Sequence, residues 1–297
     1  MGYKLAGFEH LGGVEIDKSL ASVYKENHNP KYMFLEDIRE FNKRTDLPIE
    51  LYDLDLLDGS PPCSTFSSIG LREAGWGKNK VFREGQANQT LDDLVFVYLD
   101  TVKKLNPKTF ILENVKGIIK GNAKSYARRI VEQGNAIGYA MQAFCLNGAT
   151  MGLPQTRERV FFIGARKDLN LPKLRLEFNE KPINFSEISD DTDRECRLTT
   201  LGKMYWNKAK EGDSVGKLRA QCKEVNSRPA YTICGGYRNC SPLYPREIND
   251  TETKLASSFP MDYKYSGNIN YLCGMSVPPV MTAQISHQIY LQWLCNA

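Results

Sequence analysis

The sequence predicts an α/β fold: a parallel, doubly wound sheet joined to a smaller, irregular domain. Three observations predict it. Short apolar runs alternate with helical patterns through the first 166 residues, the pattern of strand–helix units. After Lys167 the texture changes to prolines, scattered charges and poor periodicity. The chain has 297 residues, enough for one large domain plus a smaller one. The expected boundaries are 1–166 plus 272–297 for the main domain and 167–271 for the smaller one.

The elements follow in order. "LGGVEI" (11–16) reads as a buried strand ending in an acidic residue, and "KSLASVYKEN" (18–27) has helical spacing. "LDLLDGS" (54–60) reads as a strand. "LDDLVFVYLDTVKKL" (91–105) reads as an amphipathic helix ended by Asn106-Pro107. "KTFILENV" (108–115) is a buried strand, "SYARRIVEQGNAIG" (125–138) a helix running into Gly138, and "RVFFIGAR" (159–166) a further strand. Near the end, Pro278-Pro279 precede an apolar helix. Ligands in such sheets bind outside the carboxyl ends of the strands. Glu15, Cys63 and Glu113 all stand at or just after such ends.

Composition excludes several classes. The chain is 41% apolar and 25% charged, ordinary for a globular protein, with no run of 18 or more apolar residues. The start lacks a basic-then-apolar layout, so a cytosolic protein is expected. The cysteines are Cys63, Cys145, Cys196, Cys222, Cys234, Cys240, Cys273 and Cys295, with no C-x-x-C pair and only three histidines. Neither a metal site nor a disulfide framework is expected. The net charge is +4. Basic residues gather in 228–247 (Arg228, Arg238, Arg246, with three tyrosines) and in 155–167 (Arg157, Arg159, Arg166, Lys167). Either block could face phosphates or be solvated surface.

Three short motifs carry chemistry. In "GSPPCSTFS" (59–67), Pro61 and Pro62 hold the backbone extended and present Cys63 at a fixed place. A thiolate needs a partner or a local field, and no histidine lies near in sequence, so a Cys–His hydrolase is poorly supported. In "ENV" (113–115), a carboxylate ends a strongly apolar strand, either as a turn residue or as a proton donor. In "QTRER" (155–159), two arginines two apart lead into a strand and could share one face.

In that order, and followed by "GMSVPPVMTAQI" (274–285), these motifs resemble the cytosine-C5 DNA methyltransferases of bacterial and phage type. "AGFEHLGGVEID" (6–17) is similar to the segment that follows that family's cofactor loop. "RPAYTICGG" with "TETKLASSFP" (251–260) is similar to the segment before its last helix. Only about 168–227 is left unmatched. The resemblance implies a Rossmann-like, S-adenosylmethionine-dependent methyltransferase sheet with a target-recognition domain. It implies a monomer acting on double-stranded DNA, within a restriction–modification system or alone. By resemblance Cys63 adds to C6 of a flipped-out cytosine. Glu113 binds or protonates N3, Arg159 holds O2, and Arg157 organises the site or the backbone. Glu15 is placed on the cofactor ribose, Ile16 on the adenine and Asp37-Ile38 at the adenine edge, with Pro62 and Leu94 also lining the cofactor. The loop 64–90 resembles the family's mobile loop over the DNA. Base contacts are expected from 168–245, with Arg219, Arg228, Arg238 and Asn239 as candidates.

The sequence also departs from the pattern. The family opens with a strand and an F-x-G-x-G loop for the methionine part of the cofactor. These are not found before Gly2-Tyr3, which resemble the helix that follows. The expectation is that Met1 is internal to a longer reading frame, and that the 297-residue chain alone binds cofactor weakly. Met275 stands where the family usually has Asn, and Ser64 where it usually has Gln. Two alternatives stay open: a methylase homologue that only binds DNA, and an RNA cytosine-C5 methylase.

Overall fold

A computed structural model describes residues 1–61, 93–189, 198–210, 228–235 and 240–295. In chain order the principal elements are α1 (Gly2–Leu5), β1 (Gly12–Glu15), α2 (Lys18–His28), β2 (Tyr32–Leu35), α3 (Ile38–Lys43) and β3 (Leu56–Gly59). Then come α4 (Leu94–Leu105), β4 (Thr109–Val115), α5 (Lys124–Ala136), β5 (Tyr139–Asn147), β6 (Gln155–Thr156) and β7 (Glu158–Arg166). Last come α6 (Thr200–Lys208), β8 (Ala230–Tyr231), α7 (Asp250–Ala256), α8 (Ile269–Met275) and α9 (Pro279–Ile289). They divide between two compact units. The sheet unit comprises His10–Leu146, Glu158–Arg175 and Ile289–Ala297; the second comprises Met1–Glu9, Asn147–Arg157 and Leu176–Gln288.

The sheet unit is built on the strand order β3-β4-β7-β5, while β1 and β2 pair with each other in parallel. Asp17 starts α2 by accepting from the amides of Ser19 and Leu20, and Asp37 starts α3 by accepting from Arg39. α4 ends where Asn106 takes a left-handed conformation (φ 50°), with Pro107 beyond it. The apolar stripe of α4 (Val95, Leu99, Val102) packs with Phe110 and Leu112 of β4, Val160 and Phe162 of β7, Ile130 and Tyr139 in one buried cluster. A second cluster of Phe41, Leu47, Leu51 and Leu105 is flanked by Val14, Phe34 and Leu57, so it joins β1 and β2 to β3.

The expectation of an all-parallel sheet requires correction. β3 and β4 are parallel, but β4 and β7 are antiparallel, from Thr109↔Ala165 to Val115↔Arg159. A parallel crossover needs a dozen or more residues, usually with a helix. The 148–157 link to β7 carries only a 3-10 turn and the two-residue β6. Four strands outside the sequence reading, β2, β5, β6 and β8, are also present.

The second unit is irregular. β6 lies parallel to β8, in register Gln155↔Ala230 and Thr156↔Tyr231. α7 opens with a full capping box between Asn249 and Glu252. Gly2 lies so close to α9 that a Cβ there would be 2.0 Å from Thr282 Oγ1. Pro279 fills the first position of α9, where a missing amide hydrogen is harmless. Among the described residues no helix is long and apolar enough to cross a membrane, and no cluster of three metal-ligating side chains occurs.

The β4–β7 contact generates a prediction. A Cβ on Gly164 would stand 2.3 Å from the ring of Phe110, which is fully buried. Gly164→Ala should cost about 1–3 kcal/mol through overpacking, read as a lowered thermal midpoint. An unchanged midpoint would show that the two strands are not packed this closely.

Candidate functional site

The polar end of the β4–β7 ladder holds the candidate site. β4 is buried through Thr109–Leu112 and becomes half-buried at Glu113 and Val115. Glu113 pairs in register with Phe161, and Val115 with Arg159. Alternation then puts Glu113, Val115, Arg159 and Phe161 on one face of the ladder, with Glu113 and Arg159 as diagonal neighbours. Arg159 Nε lies 3.0 Å from Glu113 Oε1, each side chain 13% exposed. The same guanidinium donates to the Glu158 carbonyl at 2.9 Å, and Lys116 is ion-paired with Glu158. A carboxylate and a guanidinium are thus fixed side by side, partly sheltered from water. Together they can offer an acceptor or acid and a planar donor to a heterocycle.

Arg157 has a different environment. It is 1% exposed and lies in the second unit. Its guanidinium donates to the carbonyls of Ile233 at 3.0 Å and of Gly274 and Ser276, both at 2.8 Å. Gln155 is also fully buried; it donates to the Ala256 carbonyl at 2.9 Å and accepts from the Ile233 amide at 2.8 Å. Gly274 is required here, because a Cβ would meet Gly235 N at 2.1 Å. The "QTR" triplet therefore fastens backbone from 233, 256 and 274–276. Two arginines spaced for one strand face do not share one. The chain leaves β6 at Thr156, and the two guanidinium groups have separate partners. Gln155 escaped the sequence reading, although its i, i+2 spacing to Arg157 signals a shared face.

The cofactor candidates in the sheet unit stand at strand ends. Glu15 closes β1 opposite Leu35 and accepts from the Asp17 amide at 2.8 Å. Asp37 caps α3 just past β2 and pairs with Arg39 at 3.2 Å. Ile16 and Leu35 are exposed at these same ends, 38% and 48%. Two carboxylates beside exposed aliphatic side chains suit a nucleoside, which offers hydroxyl donors and an apolar ring. Ile38 instead packs against the main apolar cluster, and Leu94 is buried. Pro62 and Cys63 lie outside the described residues, as do Arg219, Arg238, Asn239 and the loop 64–90.

The basic block 228–247 is corrected in part. Arg246 does not face solvent: it is 7% exposed and makes two 2.7 Å bonds to the buried carboxylate of Glu252. Ser189 donates to the same carboxylate. Arg228 is exposed. Of the 155–167 block, Arg166 is paired with Asp168.

Comparison with known proteins extends these observations. A family model described as C-5 cytosine-specific DNA methylase matches residues 1–214. The type II methyltransferase M.FnuDI of Fusobacterium nucleatum is 33% identical over 179 residues, covering 60% of this chain and 46% of that protein. M.DdeI of Desulfomicrobium norvegicum is 33% identical over 56% of this chain and 38% of its own length. The chain thus spans less than half the length of these two relatives. M.HindV of Haemophilus influenzae is 27% identical over 94% of this chain and 88% of its own length. Among solved structures, a prophage-encoded DNA modification methyltransferase of E. coli superposes with TM-score 0.74 at 19% identity, covering 100% of this chain and 95% of that one. Spodoptera frugiperda DNMT2 gives 0.67 at 16% identity, covering 97% and 95%. These structural likenesses establish the fold as that of methyltransferases.

Two predictions follow from the buried groups. Replacing Arg157 by Leu leaves one buried and two part-buried carbonyls without their donor and should destabilise by about 1–3 kcal/mol, measured by urea unfolding. Burial pushes the Cys240 and Cys273 thiols up to about 11. At about pH 8, where a reactive thiol must be ionised, brief maleimide treatment should label exposed Cys145 and spare both. Prompt labelling of Cys273 in the native protein would contradict its burial.

Proposed function

Since the chain belongs to the C-5 cytosine-specific DNA methylase family, we propose that it transfers a methyl group to C5 of cytosine in duplex DNA. The observation that carries this reading is the Glu113–Arg159 pair, 3.0 Å apart on adjacent antiparallel strands. Cytosine C5 is too electron-poor to attack a methyl group unaided. Addition of the Cys63 thiolate to C6 makes an enamine and turns C5 into a nucleophile. The charge that develops passes through the ring to N3 and O2. Glu113 is the proton donor or acceptor at N3, and Arg159 the donor to O2. Their mutual ion pair fixes both groups before the base arrives. Loss of the C5 proton and elimination of the Cys63 sulfur then complete the reaction. In the duplex C6 is shielded by stacking, so the cytosine must leave the helix.

S-adenosylmethionine is the proposed cofactor and supplies the electrophilic methyl group. Glu15 fits its ribose hydroxyls, exposed Ile16 its adenine and Asp37 the adenine edge, with Ile38, Pro62 and Leu94 as further lining. Arg157 is a positioning residue in this scheme, because its guanidinium bonds go to backbone carbonyls. Target recognition is assigned to 167–271, with Arg228 among the base-contact candidates.

The test is methyl transfer from labelled S-adenosylmethionine to mixed-sequence duplex DNA, with trapping on a 5-fluorocytosine duplex. Wild type should form a covalent adduct that Cys63→Ser abolishes. Glu113→Gln should lower turnover by about 10²–10⁴-fold, the usual worth of a positioned acid or base. An adduct surviving in Cys63→Ser would sink the scheme. Methylation of tRNA without methylation of duplex DNA would replace DNA by RNA as substrate.

A further inference from the structure

Directly after the carboxylate strand, the sequence places a cation at every fourth position: Lys116, Lys120, Lys124 and Arg128, with Arg129 adjoining. No acidic residue lies between Glu113 and Glu132. Lys116 follows the last residue of β4 and is ion-paired with Glu158. Lys120 stands in the short link to α5, while Lys124 and Arg128 lie one turn apart on α5 itself and so share a face. Lys120, Lys124 and Arg128 are all exposed. α5 is anchored on the main apolar cluster by fully buried Ile130, with Ala127 and Val131 packed against it. Arg129 is held differently, 4.4 Å over the Phe96 ring.

The start of α5 adds to the positive character. Ala123 occupies the cap position and supplies no side-chain acceptor, and the first turn contains no acidic residue. No carboxylate in that first turn offsets Lys124. A helix start stabilised for its own sake would carry Ser, Asp or Asn at the cap and carboxylates in the first turn. This one has the opposite composition.

We propose that Lys120, Lys124 and Arg128 bind the phosphodiester backbone of duplex DNA beside the point where the cytosine reaches Glu113. The inference rests on the reading of Glu113 and Arg159 given above and adds a surface to it. A polyanion is the fitting ligand: the stripe is elongated, advancing about 6 Å along the axis per four helical residues. S-adenosylmethionine carries no phosphate, and its single carboxylate is offset by an ammonium and a sulfonium, so an elongated row of cations does not suit it. These contacts position the duplex and carry no sequence information.

The test is fluorescence anisotropy of labelled duplex DNA over a range of salt, for wild type and Lys120→Gln/Lys124→Gln/Arg128→Gln in the full chain. Each lost phosphate contact should reduce the slope of log K against log salt by about 0.9. A slope reduced by about 2–3, with a KM for DNA raised about tenfold or more, is expected. The variant Lys120→Arg/Lys124→Arg/Arg128→Lys, which keeps every charge, should restore both. An unchanged slope in the glutamine variant would overturn the proposal. So would a slope reduced equally in the charge-keeping variant, which would trace the effect to altered folding. A loss larger on single-stranded RNA than on duplex DNA would overturn the choice of duplex. If the glutamine variant shows the reduced slope but wild type transfers no methyl group to DNA, the reading of Glu113 and Arg159 fails while the stripe stands.

Discussion

The antiparallel register of β4 on β7 is the constraint on which the candidate site depends. It sets Val115 against Arg159 and Glu113 against Phe161. Only in that register do the carboxylate and the guanidinium become diagonal neighbours on one face. A slip of one residue would carry Arg159 to the opposite face, among Val160 and Phe162 of the apolar cluster. The same ladder buries Phe110, Leu112, Val160 and Phe162, so the core and the site are specified by one set of backbone hydrogen bonds.

The pair itself is poor evidence for stability. Two charged groups held largely away from water lose hydration that their attraction barely repays. A hydrophobic pair at these positions would serve the sheet at least as well. In the proposed reaction the arrangement serves as preorganisation: each group fixes the other, so little reorganisation would remain on arrival of the base. The second unit shows the contrasting use of the same side chain. There Arg157 is sealed against three backbone carbonyls, and Arg246 against Glu252. These arginines organise chain segments, whereas Arg159 faces the polar end of the ladder.

Much of this was legible in the sequence. The continuous apolar run before Glu113 and the helical stripe of 91–105 mark β4 and α4, since burial on both faces and burial on one stripe leave different periods. β2 escaped although it is as long as β1 and β3, which were read. β5 escaped because its burial is irregular and Gln142 interrupts it, hydrogen-bonded to the Leu174 backbone rather than to water. The direction of β7 could not be read from its composition; the short link before it was the available signal. The carbonyls that Arg157 holds lie 76 to 119 positions away and the Glu252 carboxylate lies six from Arg246, and no local pattern encodes these pairings. The family motifs made Glu113 and Arg159 expected site residues without saying that they touch.

The central claim is that Glu113 and Arg159 act as one unit. A double-mutant cycle on methyl transfer, using Glu113→Gln, Arg159→Gln and the double variant, tests it most directly. A coupled pair should give a second substitution much milder than the first, with an interaction energy of about 1–3 kcal/mol in kcat/KM. Fully additive losses, within about 0.5 kcal/mol, would contradict it and reduce the 3.0 Å contact to a coincidence of packing.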